Sequence, residues 1–136
     1  MSRKRSGSAV LETCLLLPIL IMLGFGVVDY GYCIFITNTF QGAAQAGARV
    51  AILDTSANSD VTTAITTTLT AAGVSASNYS ITLSPANISG LAAGTSITVT
   101  ISGTWGNLGT KILSTSFGGM SNTKQITGAS SMVKEQ

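Results

Sequence analysis

The chain has 136 residues, enough for one small domain, and only 9% of them are Asp, Glu, Lys or Arg. Its net charge of +2 is set by the N-terminal tip, which carries Arg3, Lys4 and Arg5, while the remaining cations do not cluster. Histidine, the commonest general base and metal ligand, does not occur in the sequence. This composition argues against a nucleic-acid-binding surface, a metal or cofactor site and a free cytosolic enzyme.

An apolar segment follows the basic tip. Residues 13–28 are sixteen consecutive positions without charge, and extension back to Ala9 gives 20 positions with Glu12 as the only ionisable side chain. About 20 apolar residues cross a bilayer as a helix, and a basic flank stays on the cytoplasmic side. We therefore predict a single-pass membrane protein, with a basic cytoplasmic leader over residues 1–7 and the C-terminal part outside.

A cleaved secretory signal shares the basic start and the apolar run, but it also needs small residues at a cleavage site directly after that run. Here the run is followed by residues 29–32, Asp-Tyr-Gly-Tyr, which form a poor site. Ala44-Gln45-Ala46 has the right shape but lies too far downstream. A permanent anchor is favoured, and a secreted binding protein with an ordinary signal peptide remains as an alternative.

The helix is predicted to continue well beyond the membrane. Residues 30–48 carry no charge, and no proline occurs between Pro18 and Pro85. We predict one helix over about residues 8–53, with a transmembrane half at 8–28 and an extramembrane half at 29–53. The alternative is a helix broken at one of its glycines, Gly24, Gly26 or Gly31.

Two kinds of side chain mark the outer half of this helix. Polar residues recur on one face at Asn38, Gln41, Gln45 and Arg49. Small residues recur four apart elsewhere, and such pairs allow a second helix to approach closely. We predict that the small residues pack against other helices or against the outer domain: Gly42, Ala43, Ala46 and Gly47.

Glu12 is the candidate functional residue, because an ionisable side chain within an apolar span is costly there unless it is paired. If the chain were cut after Gly7, the new amino group of Ser8 would lie four positions from Glu12, on the same helical face. That amine could pair with Glu12 of the same chain or of a neighbouring copy. The alternative is that Glu12 lies at the membrane interface and reaches water.

Cys14 and Cys33 are 19 residues apart on the predicted helix. At about 1.5 Å per residue they would be roughly 28 Å apart, far beyond disulfide reach. Lipid modification of Cys14 is disfavoured, because Glu12 stands where such processing sites need a small neutral residue. Both cysteines are interpreted as small apolar side chains of a membrane helix.

Residues 5–12, Arg-Ser-Gly-Ser-Ala-Val-Leu-Glu, resemble a type IV prepilin processing site, with a glycine before the cut and a glutamate at the fifth mature position. The stretch over residues 9–52 is similar to the TadE-like family of the tight-adherence pilus, and the resemblance covers residues 5–53. The elements that carry it are Val10-Leu11-Glu12, Leu17-Pro18, the glycine-rich exit before Asp29-Tyr30-Gly31, and Ala46-Gly47-Ala48-Arg49.

This resemblance implies a minor pilin or pseudopilin. It implies cleavage between Gly7 and Ser8 by a prepilin peptidase, and a role for the chain in pilus assembly. The implied partners are the inner membrane, other pilin subunits and the assembly machinery, with no nucleic acid and no small-molecule substrate. The main alternative is an uncleaved membrane protein whose outer domain binds a partner.

Residues 54–136 are predicted to form a small outer domain. Residues 54–60 break the long helix, and a short amphipathic helix follows at 60–72 with Gly73 as its cap. Strands are predicted around Ile81 and Leu83, at 97–101 where apolar and threonine residues alternate, and at 124–132. Helical turns are predicted through Leu108, Ile112 and Leu113. The fold class is therefore α+β, with about three antiparallel strands.

No catalytic constellation is evident in the outer domain. Asp54, Asp60 and Glu135 are far apart in sequence, and the glycine-rich stretch at 103–106 lacks the lysine and the spacing of a phosphate-binding loop. Trp105 is predicted to lie in the core or at a subunit contact. The sequence thus predicts a structural protein without enzymatic activity.

Overall fold

The computed structural model describes residues 6–109 and 119–135. These residues form a long helix, a shorter helix and a three-stranded antiparallel sheet, which confirms the predicted α+β class. In chain order the elements are α1 (Ser6–Ala51), α2 (Asn58–Ala71), a 3-10 turn (Ala76–Asn78), β1 (Ser80–Ser84), β2 (Ser96–Thr104), α3 (Trp105–Leu108) and β3 (Gln125–Val133).

Helix α1 is continuous over 46 residues and contains Pro18. It passes through Gly24, Gly26 and Gly31 as helix, so the alternative of two separate half-helices does not describe this chain. From Val10 to Val28 the helix carries exposed large apolar side chains, whereas from Asp29 onward one face is buried. One helix thus has two environments, an uncovered half and a half covered by the rest of the chain.

Helix α2 packs its apolar face on α1 through three buried residues, Val61, Ile65 and Leu69. Its threonines would ordinarily favour strand. Here they bond back to the helix, as in the contact of 2.8 Å from Thr67 Oγ1 to the Thr63 carbonyl oxygen. The helix was predicted at 60–72 and begins two residues earlier, at Asn58. The early start follows from the Asp60 carboxylate, which accepts a hydrogen bond of 2.9 Å from the Ala57 N–H.

The sheet has the strand order β1-β2-β3, with both pairs antiparallel. Its inner face contributes Ile97, Val99 and Ile101 of β2 to the core, all with no exposed surface. Its other face is rich in hydroxyl groups that bond across strands, as between Ser80 and Ser102 at 3.0 Å. The strand predicted at 124–132 is observed at Gln125–Val133. Of the predicted turns, Leu108 lies in α3, while Ile112 and Leu113 are outside the described residues.

Strand β3 meets α1 backbone to backbone at Gly128. A Cβ atom on Gly128 would overlap the backbone carbonyl carbon of Phe40 and would lie 2.5 Å from the Gln41 nitrogen. The neighbouring Ala129 is held by the side chain of Gln41, whose Nε2 donates to the Ala129 carbonyl at 2.7 Å. The Ala129 N–H in turn donates to Gln41 Oε1 at 3.2 Å. A single glutamine amide therefore fixes the edge strand to the helix.

Tyr79 lies beside this contact, with its ring edge-on to Phe40 at a centroid distance of 6.2 Å. Within the described part of the chain its hydroxyl is buried without a hydrogen-bond partner. Burial raises the pKa of the Tyr79 hydroxyl above its ordinary value of 10.0, because the charged phenolate would lose its solvation. The hydroxyl therefore stays protonated at neutral pH, and the side chain serves as a packing group.

The close contact at Gly128 predicts that Gly128→Ala destabilises the domain by about 1–3 kcal/mol, because backbone atoms of α1 cannot yield to a new methyl group. Urea unfolding of the detergent-solubilised chain, followed by the fluorescence of its single Trp105, measures this. Ser130→Ala, on the same strand and the same face, is the control and should change stability by less than about 0.5 kcal/mol. Equal stability of the two variants would contradict the backbone contact.

Candidate functional site

The candidate site is the surface of α1, since the sequence places its candidate residues there. Over Ala9–Ala51 the helix is long and apolar enough to cross a membrane, and its most apolar stretch has no buried residues within the structure. The hydroxyl of Thr13 donates to the Ala9 carbonyl oxygen at 2.9 Å, so this polar group is satisfied inside the helix. In water every large apolar side chain along this surface would be exposed, which is unfavourable. The surface is therefore suited to contact with lipid.

Glu12 lies on this exposed apolar surface. Among the residues that the structure describes, it has no ion-pair partner. Gly7 and Ser8 belong to the first turns of α1, which begins at Ser6. The leader cations Arg3, Lys4 and Arg5 lie outside the described residues. Their proposed roles in processing and orientation remain predictions from the sequence.

The four small residues of the outer half of α1 have different surroundings. Ala43 is fully buried, and a Cβ on Gly47 would lie 2.7 Å from the side chain of Ile65 in α2. Ala46 is half-buried. Gly42, by contrast, is exposed, and a Cβ there would have no atom within 4 Å. The structure thus places Ala43 and Gly47 at the contact with the outer domain and leaves Gly42 on the open surface.

The polar face of α1 is exposed at Asn38, Gln41, Gln45 and Arg49, as its helical spacing indicates. Gln41 differs from the others, because both ends of its amide bond to Ala129. The sequence pattern places it on the polar face without indicating this contact. A signal was present in Gly128, since a glycine within a strand often marks a close backbone approach.

The change from exposed to buried helix occurs at Asp29, whose exposed fraction is 2%. The next residue, Tyr30, is 55% exposed, so the covered face of the helix begins here. Tyr32 packs against Trp105 at a ring-centroid distance of 6.1 Å, and Trp105 itself is buried in the core. The outer domain therefore starts to cover α1 within about one helical turn of the end of the apolar run.

At the opposite end of the domain, the side chain of Lys134 is 3% exposed, and its ammonium lies 3.6 Å from a carboxylate oxygen of Asp54. Asp54 follows the end of α1, and Lys134 follows the end of β3. This ion pair joins the ends of the two elements.

The described residues could otherwise form a site through a group of metal ligands or a surface pocket. They contain no group of three or more Cys, Asp or Glu side chains that could hold a metal ion. An open groove of about 450 Å³ lies between α2 and β1. Its lining has no ionisable side chain: Asn58, Thr62, Ile81, Thr82, Leu83 and Ala86. The candidate site is thus a set of packing surfaces on one helix.

An apolar N-terminal helix that continues into a packed α+β domain suggests a small protein anchored in a membrane. Residues 7–49 match the family model for TadE-like protein. This segment is about a third of the chain, and its similarity is consistent with a TadE-like protein of the Tad pilus system. No curated protein and no solved structure matched the chain in comparison.

The unequal surroundings of Gly42 and Gly47 predict opposite responses to the same substitution. Gly47→Leu should destabilise the domain by about 1–3 kcal/mol, because it overfills the contact with Ile65. Gly42→Leu should leave the free energy of unfolding unchanged or raise it by up to about 1 kcal/mol, because the added side chain meets no atom and leucine favours the helix more than glycine does. Urea unfolding in detergent measures both. Equal destabilisation by the two variants would show that the contact between α1 and α2 is looser than described.

Proposed function

We propose that the chain is a minor pilin or pseudopilin of a tight-adherence pilus, anchored in the inner membrane with its N-terminus in the cytoplasm. The observation that carries this proposal is the TadE-like match, because it falls on α1 and spans both its uncovered half and its covered half. The proposed role is structural and not enzymatic. Prepilin peptidase, other pilin subunits and the assembly machinery are the proposed partners.

The packing of α1 supports a role in assembly. Its outer half is joined to the domain through Gly128, Gln41 and Gly47, so a force applied to the domain is transmitted to the helix. Its inner half has an apolar surface, which lipid covers in the membrane and which neighbouring helices could cover in a filament. A subunit built in this way can pass from bilayer to filament without refolding its outer domain.

Glu12 is the residue proposed to fix the axial alignment of α1 in one subunit against α1 in the next. It is an acidic side chain on an exposed apolar surface, where an unpaired charge is costly in lipid. Cleavage after Gly7 would create an amine at Ser8, and that amine could pair with Glu12 of an adjacent copy. Pairing would satisfy both charges and would set the axial position of one helix against the next.

Processing is the first test. The mature protein is expected to begin at Ser8, and a bulky substitution of Gly7 should block cleavage while the protein stays in the membrane. Intact mass and N-terminal sequencing of the cellular protein measure this. A full-length chain in cells that make working pili would overturn the processing step and favour the uncleaved anchor. A start beyond the apolar run would favour a secreted binding protein.

The second test separates assembly from insertion. Glu12→Ala should leave membrane level and outer-domain folding intact, because removal of a charge makes insertion of the span easier. Piliation should fall, since the register contact is lost. The processed fraction should change less than piliation. Membrane level, processed fraction and piliation are compared in one strain, with Asn38→Ala as a control on the exposed outer half. Normal piliation of the Glu12→Ala strain would refute the proposed role of Glu12.

A further inference from the structure

The end of the outer domain nearest the uncovered half of α1 lies close to the plane where the bilayer ends. The apolar run from Ala9 to Val28 is about 30 Å long as a helix, which matches the hydrocarbon thickness of a bilayer. Tyr32, which contacts Trp105, is four residues beyond Val28, or about 6 Å further along the helix axis. The headgroup layer on each side of a bilayer is about 5–8 Å thick. No spacer thus separates the domain from the membrane.

The part of the domain at this level is a rim formed by α3 (Trp105–Leu108) and the loop 119–124. The two pieces are bonded to each other, because the Trp105 N–H donates to the Lys124 carbonyl at 2.8 Å and the Gly106 N–H donates to the Asn122 carbonyl at 2.8 Å. Since Trp105 packs on Tyr32, Lys124 is held at the membrane-facing end of the domain.

The charges of the outer domain are distributed along the axis of α1. Its exposed acids lie at the far end, where α1 ends, α2 begins and β3 ends: Asp54, Asp60 and Glu135. Lys134 is also there but is buried, and Arg49 is exposed on the last turn of α1. Among the described residues, Lys124 is the exposed cation of the rim, and the acid at this level, Asp29, is buried. The membrane-facing end therefore shows a positive charge without an exposed negative one within the described residues.

Aromatic side chains at the same level fit an interface. Tyr30 and Phe35 of α1 are 55% and 47% exposed, and they flank the contact of Tyr32 with Trp105. Tyrosine and tryptophan are enriched where membrane meets water, because their rings are apolar and their tips are polar. The helix thus has an aromatic belt beside the rim.

From these observations we propose that the rim rests in the headgroup layer of the outer leaflet and that Lys124 binds the phosphates of anionic phospholipids. This inference rests on the proposed anchoring by α1. It identifies the lipid surface as a binding partner of the outer domain before assembly. A cation near an anionic leaflet contributes about 1 kcal/mol, which corresponds to about a fivefold effect on a local equilibrium.

The position of the rim can be measured with nitroxide labels on the full chain in nanodiscs, with Cys14 and Cys33 changed to serine. Labels at Thr123 and at Ser89, which is an exposed loop residue at the far end, are compared by their accessibility to oxygen and to a water-soluble nickel chelate. We expect Thr123 near the phosphate plane and Ser89 in bulk water. A third label at Leu20 should lie in the hydrocarbon. Thr123 in bulk water with Leu20 in hydrocarbon would overturn only the rim proposal, whereas Leu20 in water would overturn the anchoring as well.

The lipid preference is tested by hydrogen exchange at the bonded amides of Trp105, Gly106 and Lys124. Adding phosphatidylglycerol to phosphatidylcholine nanodiscs should raise their protection about fivefold. Lys124→Gln should abolish this increase, and Arg49→Gln, the matched removal of an exposed cation at the far end, should preserve it. Protection that does not depend on phosphatidylglycerol, or that is lost equally in both variants, would refute recognition by Lys124.

Discussion

The outer domain depends on one close approach, the crossing of β3 over α1 at Gly128. The strand lies directly against the backbone of Phe40 and Gln41 because Gly128 has no side chain there. From this contact the sheet brings Ile97, Val99 and Ile101 onto the helix, and Gln41 holds the neighbouring position of the strand. Small residues on both partners let the helix serve as one wall of the hydrophobic core, in place of a second layer of strands.

Helix α1 is suited to two different surroundings, lipid along its first half and the outer domain with water along its second half. Its first half has exposed apolar side chains all round, as a lipid-facing helix requires, while its second half has one buried stripe and one polar face. The change occurs at Asp29, directly after the apolar run. Positions that face lipid need apolar side chains, whereas the open face of the outer half needs polar ones. The two stretches therefore cannot overlap. The abrupt change therefore fixes where the domain sits along the helix.

Much of this arrangement could be predicted from the sequence, because it follows from local periodicity. The uncharged run, the alternating residues of β2 and the apolar face of α2 each indicate their own element. What could not be predicted depends on contacts between distant residues. Gln41 reads as one of four polar residues on a solvated face, yet it binds Ala129, which is 88 positions away. Likewise Gly42 and Gly47 look equivalent in sequence, and only the position of Ile65 distinguishes them.

The pairing of Gln41 with Ala129 also affects how copies of the protein can meet. Strand β3 is at the edge of the sheet, and an unprotected edge is a template on which a strand from another molecule can add. The glutamine amide occupies the donor and the acceptor at the middle of that edge. A foreign strand could not pair along the full length of β3 without first displacing it. The glutamine amide thus hinders the addition of a strand from another copy at this edge of the sheet.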